Sequence, residues 1–371
     1  MPSYNDDKFE HYQSILTKKR FIPFSGNEFI FGMLILLATI FFVAESRWSR
    51  LFDSHAISTE KPVHIYFEES TQLDELTRIL MDSSLIKSGE ELKWAANIFG
   101  WRRFHKGHYL VDGPLEYDAF LSKLARGMQD PVSVTILPGR SKADIVSKVS
   151  NQLKFDSLAF DRAIKDSTFL ARQNLNKRDV IGRLFPNTYS VYWTISPESF
   201  FERILSEFNE AVIESYQKQL KELDRSVDEI VTLASIIEWE ARNSEEKRVI
   251  SGLYWNRLNR GMRLQADPTV NFAVGERRRL LYEDYQVDHP YNTYLYRGLP
   301  PGPITNPDLA SIRAAVYPED HEFLYMVATP NGEHAFSKTF EEHKRKSAKW
   351  REWLQEQYRI KQRNERKQNG N

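Results

Sequence analysis

Hydrophobic and polar positions alternate differently in successive parts of the chain. Phe29 to Ala44 reads FIFGMLILLATIFFVA, sixteen residues without a charge. As a helix this run covers about 24 Å, slightly less than a ~30 Å hydrocarbon core. Phe21, Ile22 and Phe24 extend the apolar character upstream, and Glu28 and Glu45 fall near the two interfaces. The run is apolar on every face, so it reads as a membrane-spanning helix over 29–45 rather than a half-buried one. It exceeds the ~7–15 apolar residues of a cleavable signal, and no A-x-A site follows. Lys18, Lys19 and Arg20 before it outnumber Arg47 and Arg50 after it. That bias predicts an inside N-terminus, a cytoplasmic tail over 1–28 and an extracytoplasmic remainder.

Residues 46–61 read as a polar stalk. From Pro62 the text VHIYF has the period of a half-buried strand, and then Leu73, Leu76, Ile79 and Leu80 recur at helical spacing. A second helix is expected through Leu92–Phe99, a turn and strand at Lys106–Val111, and a helix at Tyr117–Arg126 closed by Gly127. Pro131–Leu137 reads as a strand, Pro138-Gly139 as a turn and Ser141–Leu153 as a helix. This strand–helix–helix–strand texture predicts one or two small α+β modules over 62–155. Residues 156–225 are mostly helical by periodicity, interrupted by Gly182-Arg-Leu-Phe-Pro-Asn-Thr-Tyr. Residues 351–371 are charged and poor in apolar residues, a helix end fraying into a solvated polar tail.

The densest chemistry lies between. Ser226-Val-Asp-Glu229 matches a capping box, and EIVTLASIIEWEAR follows it. Ile230, Leu233, Ala234, Ile237 and Ala241 form an apolar stripe, with Glu238 and Glu240 on its opposite flanks. A carboxyl beside a packed face is partly desolvated, which raises its pKa and suits it to general-acid work near neutral pH. Helical geometry alone does not choose between the two. Asn243 is expected to end this helix and Ser244 to cap another, with Ile250, Leu253, Tyr254 and Leu258 inward and Gly261 as its stop. Three loops then place Asn, Thr, Tyr, Gln and Asp between Pro and Gly: 264–275, 289–307 and 323–344. Stiff loops of amides, hydroxyls and aromatic rings suit a sugar, since amides bond ring hydroxyls and aromatics cover C–H faces.

Composition narrows the classes. Lys+Arg and Asp+Glu are both 51, so there is no positive excess for a nucleic-acid binder. Cysteine is absent, which removes disulfides, thiolate metal sites and cysteine nucleophiles. Neither G-x-x-x-x-G-K-[ST] nor G-x-G-x-x-G occurs, and the nine histidines include no H-E-x-x-H; His321-Glu322 lacks its partner. S-x-x-K occurs, as at Ser84, Ser215 and Ser244, without S-D-N or K-T-G. Neither a metal nor a cofactor is expected.

Four blocks in series, LASIIEWEAR, RLNRGMRLQADPTV, YNTYLYRGLPPGPITNP and the H-x-F-S-x-T-x-x-x-H pattern from His334 to His343, resemble the YceG-like family of endolytic murein transglycosylases. KGHYLV, ILPGRSKADI and GRLFPNTY resemble less specific blocks of the same family. The resemblance implies an α+β protein with one inner-membrane helix, a LysM-like module, and a catalytic domain over 156–350. It implies cleavage of peptidoglycan glycan strands between MurNAc and GlcNAc, leaving 1,6-anhydroMurNAc ends. The family's catalytic glutamate falls on Glu240, with Glu238 supporting. Gln265, Asp267, Tyr291, Asn292, Thr293 and His334 fall on family positions as supporting or substrate-binding candidates. Three positions depart from the family pattern: Trp239 stands where Lys is usual, Asp308 replaces the Gly of N-P-G, and Met326 replaces the Phe of x-F-V-A. The implied chemistry uses one carboxyl, as acid and then as base, with the muramyl C6 hydroxyl as intramolecular nucleophile. The expected partners are glycan strands and the membrane, with peptidoglycan synthases left open. The rival reading is a non-catalytic peptidoglycan-binding scaffold.

Overall fold

The structure, a computed structural model, describes residues 26–241 and 243–368. It is a mixed α+β fold. Two compact units emerge, one of the chain up to His105 with Tyr109–Met128, the other of Lys106–His108 with Gln129 onward. The cytoplasmic tail expected over 1–28 lies almost wholly outside the described residues.

In the first unit, helix α1 (Gly26–Leu51) is long and apolar enough to cross a membrane. Its 26 residues span about 39 Å. The apolar stretch is exposed to its surroundings throughout, as fits a membrane anchor. The helix runs six residues past Glu45, and its last turns belong to the unit. Arg47 lies 5.9 Å from the Trp94 ring centroid, Arg50 pairs with Glu91 at 3.5 Å, and Leu51 is buried. The stalk expected over 46–61 is therefore partly helix. Its remainder includes Ile57, buried and bridged to Leu115. Two buried apolar residues among polar text are too sparse to produce a readable period.

Next along the chain come β1 (Val63–Phe67), β2 (Thr71–Gln72), α2 (Leu73–Asp82), α3 (Gly89–Phe99), β3 (Arg103–Phe104), β4 (Gly107–Val111) and α4 (Tyr117–Ala125). β1 pairs with β4, and β2 with β3 in antiparallel register, Thr71 opposite Phe104. The expected strand–helix–helix–strand order is present. Leu76, Leu80, Leu92, Ala95 and Ala96 close its core. Ser88 caps α3 by accepting from the Glu91 N–H, and Gly100, at φ 76°, ends it.

The second unit begins earlier than residue 155. Strand β5 (Pro131–Ile136) pairs antiparallel with β6 (Asn187–Tyr192), Pro131 opposite Tyr192 and Ile136 opposite Asn187. A strand cannot be separated from its hydrogen-bonded partner, so β5 and α5 (Lys142–Ser150) belong with the C-terminal elements. Between α5 and β6 come α6 (Ser157–Ala163), α7 (Ser167–Arg172) and α8 (Val180–Arg183). After β6 come α9 (Pro197–Phe208), a π-helical turn (Asn209–Glu214) and α10 (Ser215–Glu222). Helix α11 (Val227–Glu240) is next, then a 3-10 turn (Ser244–Glu246), α12 (Lys247–Asn259), α13 (Asp267–Val274) and α14 (Leu309–Val316). Hairpin β7 (Tyr325–Ala328) and β8 (His334–Ser337) leads into α15 (Phe340–Gln368). The tail expected to fray from residue 351 continues as helix to Gln368, with salt bridges such as Lys361–Glu365 along its charged surface.

Helix α11 is the hub. The capping box at Ser226 and Glu229 forms as expected. Instead of one stripe, every residue from Ile230 to Ile237 is buried, because α11 is packed against α12, α13 and α14. Its polar members are satisfied internally: the Ser235 hydroxyl donates to the Thr232 carbonyl and accepts from the Ile304 N–H. The helix stops at Glu240, with Ala241 extended at ψ 120°. Asn243, not Ser244, caps the next turn by accepting from the Glu245 N–H at 3.0 Å.

Candidate active site

The two glutamates at the end of α11 have opposite surroundings. One oxygen of Glu238 accepts from the Ser311 hydroxyl at 2.6 Å, the Asp308 N–H at 3.2 Å and the Lys247 ammonium at 3.2 Å. Lys247 also binds Asp308 at 2.9 Å, and Asp308 caps α14. Glu238 thus ties α11 to α12 and α14. Burial pushes its carboxyl up, while the Ser311 hydrogen bond pulls the other way. That oxygen's acceptor capacity is taken up by the protein.

Glu240 has no hydrogen-bond partner among the described residues and is only partly buried. Burial pushes its carboxyl up to about 8, helped by the negative charge of Asp267 and opposed by Arg257. It is also the last residue of α11. The C-terminal end of a helix carries partial negative charge and disfavours an anion, which further favours the protonated form. A neutral carboxyl with a free proton is thus held at a fixed helix end.

Around it stand residues from α12, α13 and the loop before α14. Asp267 opens α13 and is exposed. It accepts from the Tyr294 hydroxyl at 2.7 Å and the Tyr285 hydroxyl at 3.4 Å. Burial raises both phenols, Tyr285 to about 12, so they remain donors. Tyr254 on α12 is fully buried, and its hydroxyl has no partner among the described residues. Burial first and then the Glu240 charge push that phenol well up. Arg257, a turn further, is fixed by the Leu324 and Leu264 carbonyls.

The remaining expected residues divide. Gln265 is exposed beside Asp267 in a left-handed backbone, φ 47°, an uncommon conformation that places it at a sharp turn. Asn292 and Thr293 are fully buried and act inside the protein. The Asn292 amide donates to the Tyr285 and Val287 carbonyls. The Thr293 hydroxyl accepts from the Ala266 N–H at 3.0 Å and pairs with the Thr269 hydroxyl at 2.8 Å. Thr293 thus holds the Gln265–Asp267 turn from behind. Tyr291 packs against Phe272, the ring centroids 4.5 Å apart and the planes tilted by 34°, and lines a neighbouring cavity. His334 is tied to Glu246, which both its backbone N–H and its Nδ1 engage.

The match to known proteins decides the family: residues 65–349 fit the YceG-like family model. The chain belongs to the YceG-like family. It is 30% identical over 307 residues to the endolytic murein transglycosylase of Bacillus subtilis, covering 78% of this chain and 84% of that one. It is 26% identical over 356 residues to the endolytic murein transglycosylase of Streptococcus pneumoniae, covering 86% of this chain and 64% of the relative. A crystal structure of a YceG-like protein from Listeria monocytogenes superposes with TM-score 0.56 at 29% identity, over 77% of this chain and 99% of that one.

Two departures of this YceG-like chain acquire local reasons. Trp239 donates its indole N–H to the Gly139 carbonyl at 3.0 Å, under the Arg277 guanidinium at 4.8 Å. Asp308 supplies the N-cap of α14 and one acceptor for Lys247. Sequence reasoning misses Tyr254, Tyr285, Tyr294 and Arg257 as site residues. Tyr254 reads only as an inward residue of its helix, and nothing in the spacing marks its hydroxyl. Tyr294 lies within the YNTY text but reads equally as a stacking ring.

Proposed function

We propose that this YceG-like protein is a membrane-anchored endolytic lytic transglycosylase, with Glu240 as acid and then base. The observation that carries the reading is Glu240 itself: a carboxyl raised to about 8, at a helix C-terminus, with no internal partner among the described residues. Protonated Glu240 gives its proton to the glycosidic oxygen between MurNAc and GlcNAc as the bond to MurNAc C1 breaks. The oxocarbenium-like centre at C1 is attacked by the C6 oxygen of the same sugar. The C6 hydroxyl proton passes to the Glu240 carboxylate, which restores the acid and leaves a 1,6-anhydro ring. The nucleophile is intramolecular, so proximity supplies much of the rate and no water is consumed. Asp267, fixed by two phenols, is the carboxyl nearest the proposed acid that faces the developing cation.

The names of the Bacillus and Streptococcus relatives support murein as substrate. The strand–helix–helix–strand order of the first unit supports a LysM-like, murein-holding role there. Helix α1, with basic residues before it, supports an inner-membrane anchor with the N-terminus inside and the catalytic unit outside. Peptidoglycan synthases are the protein partners this placement suits.

One observation favours a second reading. Asp267 is a second carboxylate beside the acid, and an acid with a nearby carboxylate can activate water and hydrolyse the same bond. The full chain in detergent, incubated with purified murein, separates the readings. Muramyl ends one water lighter support transglycosylation, reducing muramyl ends support hydrolysis, and murein retention without cleavage supports the scaffold.

A further inference from the structure

Beside Trp239 lies a cavity of ≈ 570 Å³ that the reaction above does not use. Five cations line it, Arg140, Lys142, Lys177, Arg178 and Arg277, in a chain whose net charge is zero. Its two carboxylates are engaged: Asp144 holds the Ser141 hydroxyl at 2.7 Å, and Glu276 pairs with Arg278 at 2.9 Å. Arg178 has one loose carboxylate neighbour, Asp179 at 3.8 Å, and Arg277 covers the Trp239 ring. The side chains of Arg140, Lys142 and Lys177 have no carboxylate partner among the described residues.

The backbone beneath these cations is fixed. The Arg140 N–H donates to the Asn306 amide oxygen at 2.9 Å, and its carbonyl accepts from the Thr305 hydroxyl at 2.8 Å. Gly302 leaves room for a close approach: a Cβ there would meet the Arg178 carbonyl and the Tyr291 hydroxyl, both at 3.1 Å. Site and acid are adjacent through two elements. Trp239 precedes Glu240, and Asn271, which lines the cavity, lies four residues along α13 from Asp267, about 6 Å of rise.

We propose that this cavity binds the free carboxylates of the peptide stem that a muramyl sugar carries. The proposal rests on the murein reading. The sugars of a glycan strand are largely neutral and have no use for five cations, whereas the stems branching from the muramyl units are acidic. An anionic group here is paired by Lys142, Lys177 and Arg140 while the glycan passes Glu240. Recognition of the stem then sets which muramyl bond is presented to the acid.

The test uses the full chain in detergent with Glu240→Gln, so that strands stay intact. Its affinity is measured for glycan strands bearing stems and for the same strands with stems removed by an amidase and the lactyl carboxylates so exposed capped as methylamides. Stem-bearing strands are expected to bind roughly tenfold more tightly. Lys142→Ala with Lys177→Ala should abolish that ratio, and Lys142→Arg with Lys177→Arg should keep it, thermal unfolding reporting that each variant is folded. Equal affinity for both strands in the parent overturns the proposal. So does an alanine pair that weakens both strands equally, or an arginine pair that behaves as the alanine pair does. Stronger competition by a glycerol-phosphate polymer than by free stem peptide gives the cavity to a phosphate polymer and overturns it too. Cleavage is scored separately with Glu240 restored. Cleaved strands without stem preference remove this proposal and leave the lyase reading, and stem-dependent binding without cleavage does the reverse.

Discussion

Glu240 combines two demands on one side chain. In the proposed reaction it must hold a proton near neutrality and then accept one back. Burial, the Asp267 charge and the end of α11 all favour the proton-bearing form, and only Arg257 favours the anion. Proton donation should therefore persist through neutrality and fall as pH rises through about 8, read as the alkaline limb of kcat on purified murein. Stability carries the same signature. The ordinary carboxyl value is 4.5, so between 4.5 and about 8 the folded state keeps a proton that the unfolded chain has released. Folded stability is thus lost as pH rises across that window. Glu240→Gln removes the titration. Its thermal midpoint should match the wild type below pH 4.5 and exceed it progressively toward pH 8. A variant less stable than wild type at pH 8 would contradict the burial argument. At Thr293 the requirement is structural. Thr293→Val leaves the Ala266 N–H without its acceptor and should cost about 1–3 kcal/mol in denaturant unfolding. It should also lower kcat, because Ala266 sets the position of Asp267.

At the scale of elements, α11 is held by its neighbours through Glu238. Lys247→Met leaves Glu238 and Asp308 facing each other without their shared cation. Removing one member of such a buried group should cost about 3–5 kcal/mol by denaturant unfolding. A loss within a few tenths of a kcal/mol would mean that the three helices are tied elsewhere. Much of α11 is legible in the sequence: its start, its capping box and the opposite flanks of Glu238 and Glu240 all agree with the structure. Which flank faces the protein is not legible. That depends on Ser311 and Asp308, some 70 residues away, and no period in α11 reports them. Asn292 and Thr293 show the same limit from another side. Amides and hydroxyls in a stiff loop serve a sugar or the loop's own backbone equally well, and only the burial of these two separates the uses. The boundary near residue 155 fails for a related reason, since the partner of β5 lies more than fifty residues on.

For the whole molecule, the claim is a wall-cutting acid carried on a single anchor. Without a native cysteine, one introduced cysteine is a unique reporter. Lys218→Cys, on the exposed face of α10, should react with a membrane-impermeant maleimide in intact cells whose outer layers admit the reagent. Labelling only after lysis would reverse the orientation. The strand–helix–helix–strand unit and the anchor helix are both visible as patterns, but the end of the anchor is not. α1 runs on into the first unit through Leu51, where polar residues mask the packing. The most direct measurement is mass spectrometry of murein fragments released by the full chain and by its Glu240→Gln form. The wild type should release muramyl termini one water lighter than hydrolysed ends, and Glu240→Gln should release none. Reducing muramyl ends from the wild type, or undiminished release by Glu240→Gln, would contradict the account.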